Sequence, residues 1–168
     1  VNESQSRFSV VGKDIRFGLL AVKNIGAAFL DRLVREREQN GPFSSFYDFC
    51  KRMYGLDLNR RVLESLIRCG ALDDLGSNRR QMMENIVAVL ETLDADKRRN
   101  IEGQIGFFDL PDAPGEQSFV MDPVPDYSPA EKLAMEKEVT GIYISGHPMR
   151  EYLPLYEKLH ADRTGEIL

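Results

Sequence analysis

The chain has 168 residues, 42% of them hydrophobic, enough for the core of one ordinary domain or a domain with an appendage, and too apolar for global disorder. It shows no signal peptide and no apolar run near the roughly 18 residues that cross a bilayer, which argues against secretion and membrane insertion and leads us to expect the cytoplasm. The net charge of -5 is divided unevenly: residues 1–99 carry 17 Lys and Arg against 14 Asp and Glu, and residues 100–168 carry 5 against 13.

The first half is thus mildly basic, and the second would repel a phosphate backbone. Cys50 and Cys69 form no CxxC and share no metal-ligand spacing with His147 or His160, so both read as reduced, buried thiols and no metal site is expected. The chain opens on Val1 rather than Met, as expected of a piece of a longer protein.

In chain order, Phe8, Val10 and Val11 lead into Gly12-Lys13-Asp14, and Ile15 and Phe17 alternate on the return, which reads as a small β-hairpin closing the base of a helical unit. From Leu19 the period becomes helical, with Leu19, Val22 and Ile25 before a turn and Phe29, Leu30, Leu33 and Val34 after it. Between these segments lies Lys23-Asn24-Ile25-Gly26. Asn24 tolerates the left-handed region, Gly26 accepts a positive φ, and Ile25 is placed to plug the turn into the core.

A second helix starting near Gly26 leaves the amides of Gly26, Ala27 and Ala28 among its unpaired N-terminal donors, at the positive end of the helix dipole. With Lys23 beside them, they address a phosphate backbone rather than base edges, and affinity without sequence preference follows. The same spacing fits an αα-hairpin whose Gly only ends a helix. Lys23 and the small residues after Gly26 favour the phosphate reading.

Gly41-Pro42 stops that helix, and Ser44 or Ser45 begins a short one carrying Phe46, Phe49, Cys50 and Met53. Asn59 precedes a helix with Val62, Leu63, Leu66 and Ile67 on one face, ended by Cys69-Gly70. Ser77 can cap the next, which carries Met82, Met83, Ile86, Val87 and Leu90. This repeats the order of helix, Gly turn and helix in degenerate form, so that Asn78, Arg79 and Arg80 would aim outward from a second helix start. Two such units could span both strands of a duplex. The plainer reading of Arg60, Arg61, Arg79 and Arg80 is a solvated helix face.

After Asn100 the chain turns acidic and Pro-rich, and 110–128 reads as a linker or a loosely draped loop. Gln104-Ile105-Gly106-Phe107-Phe108 sets two adjacent aromatics where a core role for both is hard to arrange. A Phe pair in a preformed groove could sustain about micromolar binding. The alternative is that both rings fold back on the helical unit. Ser128-Pro129-Ala130-Glu131 then offers a capping box with Pro at the first helical position, for a helix to about Thr140. GIYISGHPM reads as a strand-like run and a turn, with His147 as a turn or capping residue, before a last helix bounded at Pro154.

Three stretches together resemble one family, the alpha subunit of bacterial DNA polymerase III. IRFGLLAVKNIG is similar to its helix-hairpin-helix entry, LNRRVLESLIRCGALDDLGSNRRQMM to the helices after it, and EVTGIYISGHPM to the run before its nucleic-acid-binding OB domain. Gln104 to Phe108 matches the family's internal clamp-binding peptide, with Phe107 where Leu or Met is commoner. Asn24 likewise replaces a more usual Gly.

The resemblance implies a mainly α fold: a tandem helix-hairpin-helix domain over 1–99 with a small N-terminal β-hairpin, a clamp-binding peptide and acidic Pro-rich linker over 100–128, and a C-terminal helical segment over 129–168. It implies a part of a DNA-directed DNA polymerase that grips product duplex and tethers the enzyme to the ring-shaped sliding clamp, with other replisome subunits as partners through the parent chain. Nucleotidyl transfer in that family uses Mg held by palm carboxylates. Asp73-Asp74 reads instead as turn and cap chemistry, so no cofactor and no polymerase activity are expected of this segment alone. Two competing readings are a helical interaction scaffold without DNA contact and a helix-hairpin-helix repair enzyme. The latter lacks a distinctive catalytic Asp or Lys.

Overall fold

The computed structural model describes residues 1–101 and 119–159. Strands β1 (Ser9–Val11) and β2 (Asp14–Arg16) pair antiparallel, Val11 opposite Asp14, across a two-residue turn whose first residue, Gly12, has φ +64°. Helices α1 (Ala27–Asn40), α2 (Phe46–Met53), α3 (Arg60–Arg68), α4 (Arg79–Ile101), α5 (Pro129–Thr140) and α6 (Leu153–Leu159) make up the rest, with 3-10 turns at Leu19–Ala21 and Pro148–Tyr152. The mainly α fold class stands.

Local chemistry sets most helix starts. Ser45 accepts from the Asp48 amide and Asn59 from the Val62 amide, each capping its helix. At Ser128 both halves of the capping box form, with Pro129 in the first turn, and α5 ends at Gly141 with φ +81°. Asn78, not Ser77, caps α4: its Oδ1 accepts from the Gln81 amide, while Gln81 Oε1 accepts from the Asn78 amide. The Asn-x-x-Gln spacing satisfies two helix-end donors, which Ser77 could not do from one residue earlier.

Helix α2 packs on α1 and α4, and α3 lies between α4 and α5. Leu30, Leu33, Phe46, Phe49, Leu63, Leu66, Met82 and Ile86 are closed to solvent in one continuous core that Val139 of α5 also joins. Val139 thus joins α5, at the start of the helical segment expected over 129–168, to the core of the preceding helices. The buried stripe of α4 runs through Met82, Ile86, Val89 and Leu93, and Val87 faces out. Arg52 locks the turn between α1 and α2, donating to Glu36 Oε1 and to the carbonyls of Glu36 and Gly41, with its guanidinium 4.3 Å above the Phe43 ring.

Four expectations change. The β-hairpin closes nothing: Val10 and Ile15 are each 76% exposed, and only Phe17 packs on the core, its ring edge-on to Phe8. Three-residue strands give too short a face to cover the helices. In place of a helix before the first turn there is a single 3-10 turn, because the Leu19 and Leu20 amides bind the carbonyls of Gln5 and Ser6 and Val22 is extended. Gly18 permits this crossing, since a Cβ there would lie 2.5 Å from the Arg7 and Phe8 backbone.

Residues 119–127, read as a loose drape, form neither helix nor strand but are fastened. Phe119 stacks on Tyr47, Met121 packs on the core, the Asp122 and Val124 carbonyls accept from the side chains of Gln81 and Asn78, and Asp126 pairs with Lys132. The run at Gly141 to Ser145 is bent rather than strand-like, because the Ile144 and Ser145 amides turn to the Glu136 carboxylate.

Candidate nucleic-acid interface

The turn between the Leu19–Ala21 3-10 turn and α1 brings together Lys23, Asn24, Gly26, Ala27 and Ala28. Val22 and Ile25 are buried on its inner side, as the three-residue spacing of Leu19, Val22 and Ile25 predicts, while the five candidate residues are exposed. Asn24 holds the left-handed conformation at φ +63°, and its Nδ2 donates to Ser65 Oγ on α3 at 3.1 Å. The Lys23 amide donates to the Val139 carbonyl at 2.8 Å, tying the turn to α5. The Lys23 side chain pairs with no acid among the described residues.

Gly26 corrects the sequence reading in an informative way. Its φ is -89°, not positive, so Asn24 alone takes the left-handed position. No side chain caps α1 at Gly26, and a Cβ added there would meet nothing within 4 Å. Neither backbone conformation nor packing within the chain requires a glycine at this place. Its bare surface faces outward at the open, electropositive end of α1, with Lys23 three residues away.

The second turn is built differently. Arg79, expected to aim outward, is only 3% exposed. Its guanidinium donates to both Asp73 oxygens, to Glu136 Oε1 at 3.0 Å and to the Arg68 carbonyl. Asn78 is spent on capping α4 and on the Val124 carbonyl. Arg80 reaches the surface but pairs with Glu84 one turn on. The second turn therefore holds α5 and the 119–127 segment, and only Arg80 of its three candidates presents a charge to solvent. Gln104, Ile105, Gly106, Phe107 and Phe108 lie outside the described residues.

Glu136 is the residue that sequence reasoning missed. It is fully buried on α5 and accepts from Arg79 and from the amides of Ile144 and Ser145 at 2.8 and 2.9 Å. Burial pushes its carboxyl upward, but the Ser145 and Ile144 amides and Arg79 outweigh this and hold it below the usual carboxylate range. The available signal was its place one turn before Val139, on the same face of α5.

His147 caps the second 3-10 turn, its Nδ1 accepting from the Met149 amide. Among the described residues no three His, Cys, Asp or Glu side chains gather to hold a metal ion, and no helix is long and apolar enough to cross a membrane. A cavity of about 580 Å³ between α5 and the Gly146-His147-Pro148 run shares no lining residue with the hairpin.

Residues 1–82 match the helix-hairpin-helix motif family, the span that contains this hairpin. Over nearly its whole length the chain also aligns with DNA polymerase III subunit alpha: 38% identity across 90% of the chain for the Borreliella burgdorferi protein, and 39% across 94% for those of Deinococcus radiodurans and Thermus aquaticus. The chain belongs to the DNA polymerase III alpha family. It spans only 12–13% of the length of these relatives, so it corresponds to one segment of them.

Proposed function

We propose that this segment grips the phosphate backbone of duplex DNA, without reading sequence, for a replicative DNA-directed DNA polymerase working in the cytoplasm. Lys23, the Asn24 turn and the amides at Gly26, Ala27 and Ala28 make the contact, with Arg80 as an outlying cation. The observation that carries this reading is Gly26, whose bare face meets nothing within 4 Å and lies exposed at the start of α1, uncapped by any side chain, where another backbone can approach. Nucleotidyl transfer belongs to the rest of the parent chain and its Mg-binding carboxylates. This segment does not polymerise DNA by itself.

Gln104 to Phe108 is the tether to the ring-shaped sliding clamp, the two Phe rings filling a groove on the clamp and Gln104 adding polar specificity. Processivity then follows from effective concentration, because a weak peptide contact and a weak phosphate contact, once linked, hold the enzyme on the primer far longer than either alone. Other replisome subunits act through the remainder of the parent chain.

The duplex contact is tested by salt. Binding through about three phosphates weakens roughly 40-fold between ~50 and ~200 mM salt. Lys23→Ala should flatten that slope, and an absence of binding at low salt would return the segment to a scaffold role. The tether is tested by titrating the sliding clamp against the chain and its Phe107→Ala, Phe108→Ala double variant. About micromolar binding lost in the variant supports it; absent or unaltered binding removes it and leaves the duplex contact standing.

A further inference from the structure

A small cavity of about 120 Å³ opens beside Lys23 and Asn24, with Glu64, Arg68 and Glu138 on its walls. Two of these groups are accounted for: Glu64 is held by Arg60 at 2.7 Å, and Asn24 by Ser65. Ser65 and Arg68 stand three residues apart on α3, so the hydrogen bond that fixes the hairpin also fixes Arg68 beside it. Arg68 Nη1 lies 2.7 Å from Glu138 Oε1 on α5, and its Nε, shut from solvent, has no acceptor among the described residues.

We infer that Arg68 is a further phosphate-binding residue of the hairpin site, held in place by Glu138 until a duplex backbone arrives. This rests on the reading of the hairpin as a duplex contact. The Arg68 side chain is 32% exposed and that of Glu138 60%, so the guanidinium is within reach of a surface phosphate and the carboxylate returns to water at little cost. Arginine suits the task. Its Nη1, now on the exposed Glu138 carboxylate, can pass to a phosphate oxygen without moving the buried Nε, while the amides of α1 and Lys23 hold the next group along the strand. Glu138 in the unbound protein stands in for that phosphate and restrains the affinity of the resting site.

The test is titration of a labelled mixed-sequence duplex over a range of salt, comparing the unaltered chain with Arg68→Gln, Arg68→Lys, Glu138→Gln and Lys23→Ala, each checked for unchanged thermal unfolding. Arg68→Gln should remove one phosphate's worth of salt dependence, about 3.5-fold between ~50 and ~200 mM. Arg68→Lys should keep most of it. Glu138→Gln should tighten binding by roughly 1.5- to 5-fold, the span of an exposed ion pair.

A purely structural ion pair predicts the same sign for both partners, so weakening by both Arg68→Gln and Glu138→Gln overturns the inference. An Arg68→Gln slope equal to that of the unaltered chain, with the slope flattened by Lys23→Ala, also overturns it while leaving the hairpin reading intact. Salt-independent binding, or none, by the unaltered chain removes both.

Discussion

The guanidinium of Arg79, at the start of α4, meets the carboxylate of Glu136, in the middle of α5, at 3.0 Å, and neither side chain is more than 3% exposed. This contact fastens α5 to the second helical turn. Because α5 also supplies the carbonyl that receives the Lys23 amide, the pair indirectly sets the posture of the hairpin. Glu136→Ala leaves Arg79 with Asp73 as its one carboxylate, beside the Arg68 carbonyl, and strands the amides of Ile144 and Ser145. The expected cost is about 3–5 kcal/mol of folding stability, as for other broken buried pairs. Glu136→Gln, which keeps an acceptor, should cost less. Urea unfolding monitored by far-UV circular dichroism measures both; a loss below about 1 kcal/mol for the Ala variant would show that the pair contributes little.

Acid should unfold the protein partly through the same group. The Glu136 carboxyl is held below its ordinary value of 4.5 in the folded chain, so between the folded and unfolded values the unfolded chain binds more protons. Its contribution is present above pH 4.5 and is lost as the pH falls through the folded value. The urea midpoint should therefore drop between pH 6 and pH 3, and Glu136→Gln should make that drop shallower. An equal drop in both proteins would assign the acid sensitivity to other carboxylates, of which Asp126 beside Lys132 is one similarly lowered.

Two glycines should respond differently to replacement by Ala. At Gly18 a Cβ collides with the backbone of Arg7 and Phe8, so Gly18→Ala should lower the unfolding temperature by several degrees. At Gly26 a Cβ meets open space at φ -89°, and the N-cap preference for Gly over Ala opposes the stiffening of the unfolded chain, so Gly26→Ala should change stability by less than about 1 kcal/mol while weakening duplex binding. Undiminished duplex affinity in Gly26→Ala would remove the observation on which the phosphate contact rests.

Both thiols should be silent in the native protein. Burial pushes Cys69 up to about 11 and Cys50 higher still, and the thiolate is the reactive form. A disulfide-exchange colour reagent at pH 8 should titrate neither cysteine without denaturant and both in about 6 M guanidinium chloride; fast reaction of the folded chain would mean that the helices open locally.

What the sequence determined by itself is the part of the fold that depends on near neighbours. Ser45, Asn59 and Ser128 cap their helices through bonds that close within three residues, the apolar period places Leu63, Leu66 and Ile67 inward, and the same spacing seats Val22 and Ile25 beneath the exposed Lys23 and Asn24. The tertiary structure alone decided the fate of the charges. By local rules Arg79 and Glu136 both belong on solvated faces, and a sequence gives no sign that two such residues, 57 positions apart, will neutralise each other inside the core. The same reason hid the pairing of Arg68 with Glu138, and it moved Gly26 from a turn-former to an open surface: the worth of a charge or a missing side chain depends on what the fold sets against it.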